Sequence, residues 1–212
     1  MKVLDLEQGS GEWLRARLGK VTGTRLKSLV GGKQARETLI YELVAEELSG
    51  QAEEIYVSAA MKWGTEHEDK AVKLYEKRTK TKTDVVGFCV SDEYPWLALS
   101  PDRLVKKGKK YVGAVEVKCP GTKTVMKYIA HGTIPDEYKW QVTNYFLVVD
   151  TLEWLDFVVY DPRILRDELK LTVMRVHRDD PDIFENMCRA KESLEPFLDE
   201  WKEVYEKVTK TQ

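Results

Sequence analysis

The sequence predicts an α/β protein of the α+β kind, a central sheet flanked by helices. Helical periodicity fills the first eighty residues, then gives way to short β-branched and aromatic segments separated by turn chemistry. The order of elements then reads helices, three strands, two helices, two strands and a helix, which a sheet covered by helices accommodates. At 212 residues, 42% hydrophobic and 33% charged, the chain has the material for a buried core in one domain over 1–212.

Each element follows from local chemistry. Ser10 caps a short helix through Arg17 that Gly19 ends, and Thr22 or Thr24 caps a second, closed by Gly31 and Gly32. Over 37–49, Leu39, Leu43, Val44 and Leu48 fall on one face and Gly50 stops the helix. Ser58 opens another helix to about Lys80, with Ala60, Trp63, Ala71, Leu74 and Tyr75 partly periodic. Strands are expected over 84–91, 96–100 and 111–119, the last entered through Lys106-Lys107-Gly108-Lys109-Lys110, a hairpin turn with glycine at the tight position. Helices resume over 122–131 and 136–149, and strands over 154–160 and 169–175. A long amphipathic helix from 181 closes the chain, with Phe184, Met187, Leu194, Leu198, Trp201 and Val204 as its expected buried stripe and Pro196 as a kink.

Composition excludes several classes. The longest unbroken apolar run, 145–149, is far short of a membrane span, and Asp5 and Glu7 interrupt any apolar leader, so an intracellular protein is expected. Three dispersed cysteines and three scattered histidines make neither a disulfide framework nor a zinc cluster. The net charge is only −2, yet 62–139 carries 16 basic against 11 acidic residues, and 179–206 carries ten acidic against three basic. A basic middle suits contact with phosphates, although such blocks also serve as solvated faces.

The middle strands hold the chemistry. Asp102 follows Pro101 directly after an apolar strand, where proline ends a ladder and frees the carboxylate to point into a cleft. In Val115-Glu116-Val117-Lys118 the side chains alternate, so Glu116 and Lys118 share the face opposite the two valines, with Cβ atoms roughly 7 Å apart. A hairpin through the lysine turn brings Asp102 back to this strand. Two carboxylates and an ammonium on one sheet face suit metal-assisted phosphodiester hydrolysis. Mg²⁺ takes oxygen ligands and keeps several waters, and a neighbouring lysine can orient or deprotonate a water, or neutralise charge on the phosphate. A solvated Glu–Lys pair beside a turn aspartate is the plainer alternative.

Ser100-Pro101-Asp102, the Glu116-Val117-Lys118-Cys119-Pro120 run and the element order resemble the PD-(D/E)xK nuclease superfamily, whose core is a central mixed sheet flanked by helices. More narrowly the chain is similar to the phage lambda exonuclease and YqaJ-type viral recombinase family. Four further segments carry that likeness: Glu7-Gln8-Gly9 with Trp13 and Arg17-Leu18-Gly19-Lys20-Val21-Thr22; Trp63-Gly64-Thr65-Glu66-His67-Glu68; Gln141-Val142-Thr143-Asn144-Tyr145; and Tyr160-Asp161-Pro162-Arg163.

The resemblance implies one nuclease domain, with a helical part over about 10–80, a catalytic sheet core over about 83–176 and a terminal helix over about 181–208. Asp102, Glu116 and the Val117 carbonyl would bind Mg²⁺, two ions per site with Mn²⁺ able to substitute. Glu68 would complete the site directly or through water, Lys118 would serve the attacking water, and Gln141 would stand near it. Arg17 would grip a 5′-phosphate with Thr24 in the place of the family's serine, since a guanidinium fork meets phosphate oxygens bidentately. Met61 would wedge the strands apart or lie in the core. The lysine hairpin is longer than in the lambda enzyme, and Lys106, Lys107, Lys109 and Lys110 would track a DNA backbone or keep a turn soluble.

The implied activity is 5′→3′ exonucleolytic digestion of linear double-stranded DNA ends to 5′-mononucleotides, leaving 3′ overhangs for recombination. The implied assembly is a homotrimeric ring working with a single-strand annealing protein in a bacterial cytoplasm, encoded by a phage or prophage. The rival readings are a structure-specific or restriction-like endonuclease of the same superfamily and a non-catalytic DNA-end-binding module.

Overall fold

A computed structural model describes residues 1–52 and 58–210. Among the described residues seven strands form two sheets. In the smaller, β1 (Lys2–Leu4), β2 (Phe88–Val90) and β3 (Ala98–Leu99) pair antiparallel in that order. In the larger, β4 (Arg103–Lys107) and β5 (Lys110–Lys118) form an antiparallel hairpin, β6 (Trp154–Tyr160) runs parallel to β5, and β7 (Leu171–His177) returns antiparallel. The sheet is therefore mixed. Its parallel pair requires a long crossover, which α5 (Thr122–His131) and α6 (Lys139–Val148) supply.

Two strands depart from the sequence expectation. The strand β1 is only three residues long, and β4 holds just Leu104 and Val105 between charges, so the lysine run masks it as turn. The hairpin itself forms where expected, with Gly108 at φ +65°. That tight turn leaves Lys106 and Lys107 on one strand and Lys110 on the other, rather than all four lysines at a loop tip.

Alternation along the strands divides the core into two layers. Leu104, Ala114, Leu155 and Phe157 face α2 (Gly23–Leu29), α3 (Lys33–Ser49), α6 and α7 (Pro181–Thr209). Val105, Val115, Val117 and Val158 face α4 (Ala59–Thr79). Both faces of β5 are covered, as usual for strands with a parallel neighbour. Glu116 is consequently 1% exposed beneath α6, where the alternation argument had left its face open.

The helix signals act locally. Ser10 accepts a hydrogen bond from the Trp13 amide at the start of α1 (Gly11–Arg17), and Ser58 does the same for Met61 in α4. Thr22 occupies the cap of α2, which leaves Thr24 in its first turn. Leu48 and Ala60 are exposed, and so is Phe184 at 61%. The buried stripe of α7 runs through Ile183, Ala190, Leu194 and Phe197, so its start is one residue out of phase with the expected stripe, and the helix continues through Pro196.

Candidate active site

The site lies where the two layers meet at one end of the larger sheet. Asp102 immediately precedes β4, and the hairpin returns β5 beside it, so the Val117 amide donates to Asp102 Oδ2 at 2.7 Å. Lys118 Nζ donates to Glu116 Oε1 at 2.5 Å. The fold thus brings together Asp102, Glu116, Val117 and Lys118 across a gap of 13 intervening residues. Burial of the Asp102 carboxyl, then the charges of Glu116 and Glu68, hold its pKa well above the ordinary range despite relief from Lys118 and the Val117 amide. Burial alone would lower the Lys118 pKa, but Glu116 and Asp102 outweigh it and keep the ammonium protonated.

Helix α6 fixes Glu116 from above. Gln141 Nε2 donates to Oε1 at 2.6 Å and Tyr145 donates its hydroxyl to Oε2 at 2.5 Å. The same hydroxyl accepts the Asp102 amide at 3.3 Å. Gln141 and Tyr145 are four apart and so share a helix face. Tyr145 is a site residue that sequence reasoning missed, and its four-residue spacing from Gln141 is the signal that points to it.

Glu68 reaches the site from α4, in the other layer. Arg103 donates from Nη1 to Glu68 Oε1 at 3.2 Å and to the Asp102 carbonyl at 2.5 Å, and from Nη2 to Asp69 at 2.6 Å. Burial first raises the Glu68 pKa, Arg103 opposes, and Glu116 adds to the rise. Arg103 is a second residue that sequence reasoning passed over, hidden beside the lysine run.

The opening motif folds onto the Ser100-Pro101 turn. Trp13 Nε1 and Arg17 Nη1 both donate to Ser100 Oγ at 3.0 Å, and Gln8 Nε2 donates to the Pro101 carbonyl at 3.0 Å. The Arg17 guanidinium lies 4.3 Å from the Trp13 ring centre. Burial, then the nearby Arg25, lower its pKa, while Glu46 opposes them. Arg25 is bound to buried Glu46, which also accepts the Gly19 amide at 3.0 Å. Thr24 is exposed in the same helix as Arg25.

The remaining candidates are more distant. Met61 is 49% exposed in the first turn of α4, which removes the core alternative. The Trp63 ring stacks on His67, 3.7 Å away by ring centres, and the Arg163 guanidinium lies 4.4 Å from its centre. Lys107, Lys109 and Lys110 are exposed and lie at the far end of the hairpin, roughly 17 Å from Asp102 at the strand rise of five residues. Lys106 pairs with Asp84 at 2.9 Å. A cleft of about 800 Å³ between α6, β7 and α7 does not contain the carboxylates.

Among the described residues no three His, Cys, Asp or Glu side chains converge as a ready-made metal cage. The donor set nevertheless fits a hard cation that keeps its own waters. Its members are oxygens only, and burial, with repulsion among the carboxyls, raises the Asp102 and Glu68 acids, a cost that a bound cation would relieve. Asp102 and Glu116, with Glu68 behind, are the residues that would hold it.

A mixed sheet presenting two carboxylates and a lysine at one end defines a nuclease architecture, and comparison with known proteins agrees. Residues 12–151 match the model of the YqaJ-like viral recombinase domain, and the chain belongs to that family. Two crystal structures of the alkaline exonuclease LHK-Exo from Laribacter hongkongensis are 31% identical over 96% of this chain and 100% of theirs. Their TM-scores are 0.80 and 0.81, the former in complex with dAMP. A phage related exonuclease from Haemophilus somnus 129PT shares the fold at TM-score 0.59 and 14% identity, over 89% of this chain and 96% of that one. No curated protein sequence matches the chain. The protein is a nuclease of this alkaline-exonuclease-like family, and none of its described helices is long and apolar enough to cross a membrane.

Proposed function

We propose that the whole chain is one nuclease domain, a Mg²⁺-dependent 5′→3′ exonuclease acting on linear double-stranded DNA. The observation that carries this reading is the meeting of Asp102, Glu116 and Lys118 at one sheet end, with Arg17 tethered to Ser100 two residues from Asp102. Two Mg²⁺ ions, or Mn²⁺ in their place, would be held by Asp102, Glu116, the Val117 carbonyl and Glu68. The Val117 amide already points to Asp102, and a strand residue's N–H and C=O leave on the same side. The bound cation supplies a polarised phosphate and a water of lowered pKa.

The chain's own groups do the rest. Gln141 and Tyr145 fix the Glu116 carboxylate so that its oxygens do not turn away as the phosphate arrives. Lys118 holds a proton at Nζ and donates it as a hydrogen bond to the attacking water or to a phosphate oxygen. Arg17 together with Thr24 would grip the terminal 5′-phosphate, and Met61 would separate the strands. Attack of water at phosphorus breaks the P–O3′ bond and releases a nucleoside 5′-monophosphate. The new end keeps a 5′-phosphate, the group that Arg17 binds in the next cycle. The dAMP bound by LHK-Exo belongs to the same chemical class as this product.

In this reading the enzyme leaves 3′ overhangs for a single-strand annealing protein, works as a homotrimeric ring in a bacterial cytoplasm, and is encoded by a phage or prophage. The test compares linear duplex with 5′-phosphate, linear duplex with 5′-hydroxyl, and closed circles, each with Mg²⁺. Rapid loss of the phosphorylated strand is expected, slowed on the order of 10²–10³-fold by Lys118→Ala. Arg17→Lys, which loses the bidentate fork, should erase the preference for 5′-phosphate. Nicking of circles would make the protein an endonuclease, and binding without turnover would make it an end-binding module.

A further inference from the structure

The outer face of α4 carries a charge pattern that the site does not use. At 3.6 residues per turn, Lys62, Glu66, Lys70, Lys73, Lys77 and Lys80 fall within roughly 80° of one another. All six are exposed, opposite the buried face of His67, Ala71, Val72 and Tyr75. Among the described residues none of these five lysines has an ion-pair partner.

A solvated helix face normally interleaves signs. Helix α7 does so, with Lys202 on Asp199 at 3.2 Å, Lys207 on Glu203 at 4.0 Å and its cap residue Lys210 on Glu206 at 2.5 Å. On α4 the other acids are turned elsewhere: Glu68 and Asp69 to Arg103, Glu76 to the Thr83 amide and hydroxyl. Lys70–Lys73, Lys73–Lys77 and Lys77–Lys80 are consecutive like-charge neighbours, each of which weakens the helix. Lys80 moreover takes the left-handed cap position at φ +61°, where glycine is favoured. The stripe continues past the helix. Asp84 bridges to Leu104 with hydrogen bonds of 2.7 and 3.0 Å, which sets exposed Lys82 beside the lysine hairpin.

We propose that this face is a rail for the phosphate backbone of duplex DNA downstream of the end being degraded. The proposal rests on the nuclease reading, which places a duplex on the molecule during turnover. The stripe has no aromatic side chain on which unpaired bases could stack, so it suits a duplex, which offers only its backbone, over a single strand. Lysines act as point charges without base readout, as a sequence-indifferent track requires. From Lys62 to Lys80 the rail is about 27 Å long, the span of about eight base pairs.

The experiment measures duplex binding in EDTA against salt for the full protein and for a Lys70→Gln, Lys73→Gln, Lys77→Gln triple variant. These residues are exposed and outside the catalytic machinery, so metal-dependent cleavage of a stem of about four base pairs should be unchanged. Loss of three phosphate contacts should flatten the log–log salt slope by about 2.7, a roughly 40-fold smaller loss of affinity between 50 and 200 mM salt. The wild-type advantage of long duplexes over the short stem should vanish, and Glu66→Lys should steepen the slope by about 0.9. If the wild type binds and cuts DNA while the triple variant keeps its slope, the rail is wrong and the nuclease reading stands. If the wild type neither binds nor cuts, both fall. Loss of polyglutamate binding with an unchanged DNA slope would make the face an acidic-protein dock and overturn the proposal.

Discussion

Tyr145→Phe isolates the contribution of one hydroxyl to the site. The ring is fully buried and phenylalanine fills nearly the same volume, so packing is retained and only the polar contacts are lost. The hydroxyl is the one donor to Glu116 Oε2 among the described residues, whereas Oε1 has both Lys118 and Gln141. A hydrogen bond to a buried charged group contributes about 1.5–3 kcal/mol, and the acceptor left behind has no water to turn to. Tyr145→Phe should therefore cost about 2–3 kcal/mol in EDTA, a fall in Tm of about 4–12 °C for a chain of this size. Gln141→Leu removes one of two donors to Oε1 and should cost less, about 0.5–1.5 kcal/mol. Thermal unfolding by circular dichroism at pH 8 measures both. On the metal assignment proposed above, added Mg²⁺ should narrow the Tyr145→Phe deficit, because Glu116 would then gain a second cationic partner beside Lys118. A Gln141→Leu cost equal to or above that of Tyr145→Phe would refute this account of how Glu116 is held.

Two further outcomes follow from the same geometry. Burial, then Glu116 and Glu68, raise the folded pKa of Asp102 above its ordinary 3.8, so the fold favours the protonated acid. That stabilisation is complete below about pH 3.8 and is lost as pH rises through the folded value. Asp102→Asn should thus gain Tm over the wild type progressively above pH 4 in EDTA, and a gap independent of pH would sink the assignment. Gly113→Ala should cost about 1–3 kcal/mol of overpacking and so lower Tm at all pH values, because a Cβ there runs into the Trp154 ring. An unchanged Tm would show that Trp154 is free to shift.

Much of the fold was legible because its signals are local. Ser10 and Ser58 cap as expected, Gly50 takes its left-handed stop, and the helix at 122–131 and the strand at 154–160 form with those bounds. The misplacements come from neighbours the local pattern cannot see. Leu48 is apolar and in phase, yet it stays exposed while the buried side of the last turn of α3 is taken by Glu46, held by Arg25 and the Gly19 amide. Glu116 reads as an open-face residue until α6 is known to cross that face. In the site, Asp102, Glu116 and Lys118 could be picked out because a hairpin joins them. The attachment of Gln8, Trp13 and Arg17 to the Ser100-Pro101 turn spans more than eighty residues, and no periodicity encodes it. Only the motif likeness hinted at it.

Ser100 explains how the site keeps two demands of opposite sign apart. The pocket of Asp102, Glu116 and Glu68 sets three carboxyl groups against two cations, Lys118 on Glu116 and Arg103 on Glu68. A few residues away Arg17 and Arg25 stand together with Glu46 as their buried counter-charge, and Arg17 is left without a carboxylate of its own. Were Arg17 free to reach Asp102, the two would form an internal ion pair, and both the metal site and the 5′-phosphate grip proposed above would lose the charge they need. The Ser100 hydroxyl, shared by Arg17 and Trp13, holds the guanidinium over the indole instead. A neutral acceptor satisfies one N–H without cancelling the charge, so the remaining donors of the fork stay available to an incoming anion. Ser100→Ala should therefore impair both functions at once, by releasing Arg17 towards Asp102. Ser100→Asp should be worse than alanine, because it would supply Arg17 with a permanent internal phosphate mimic. Equal 5′-phosphate preference in the wild type and in both variants would show that Arg17 is positioned by other means.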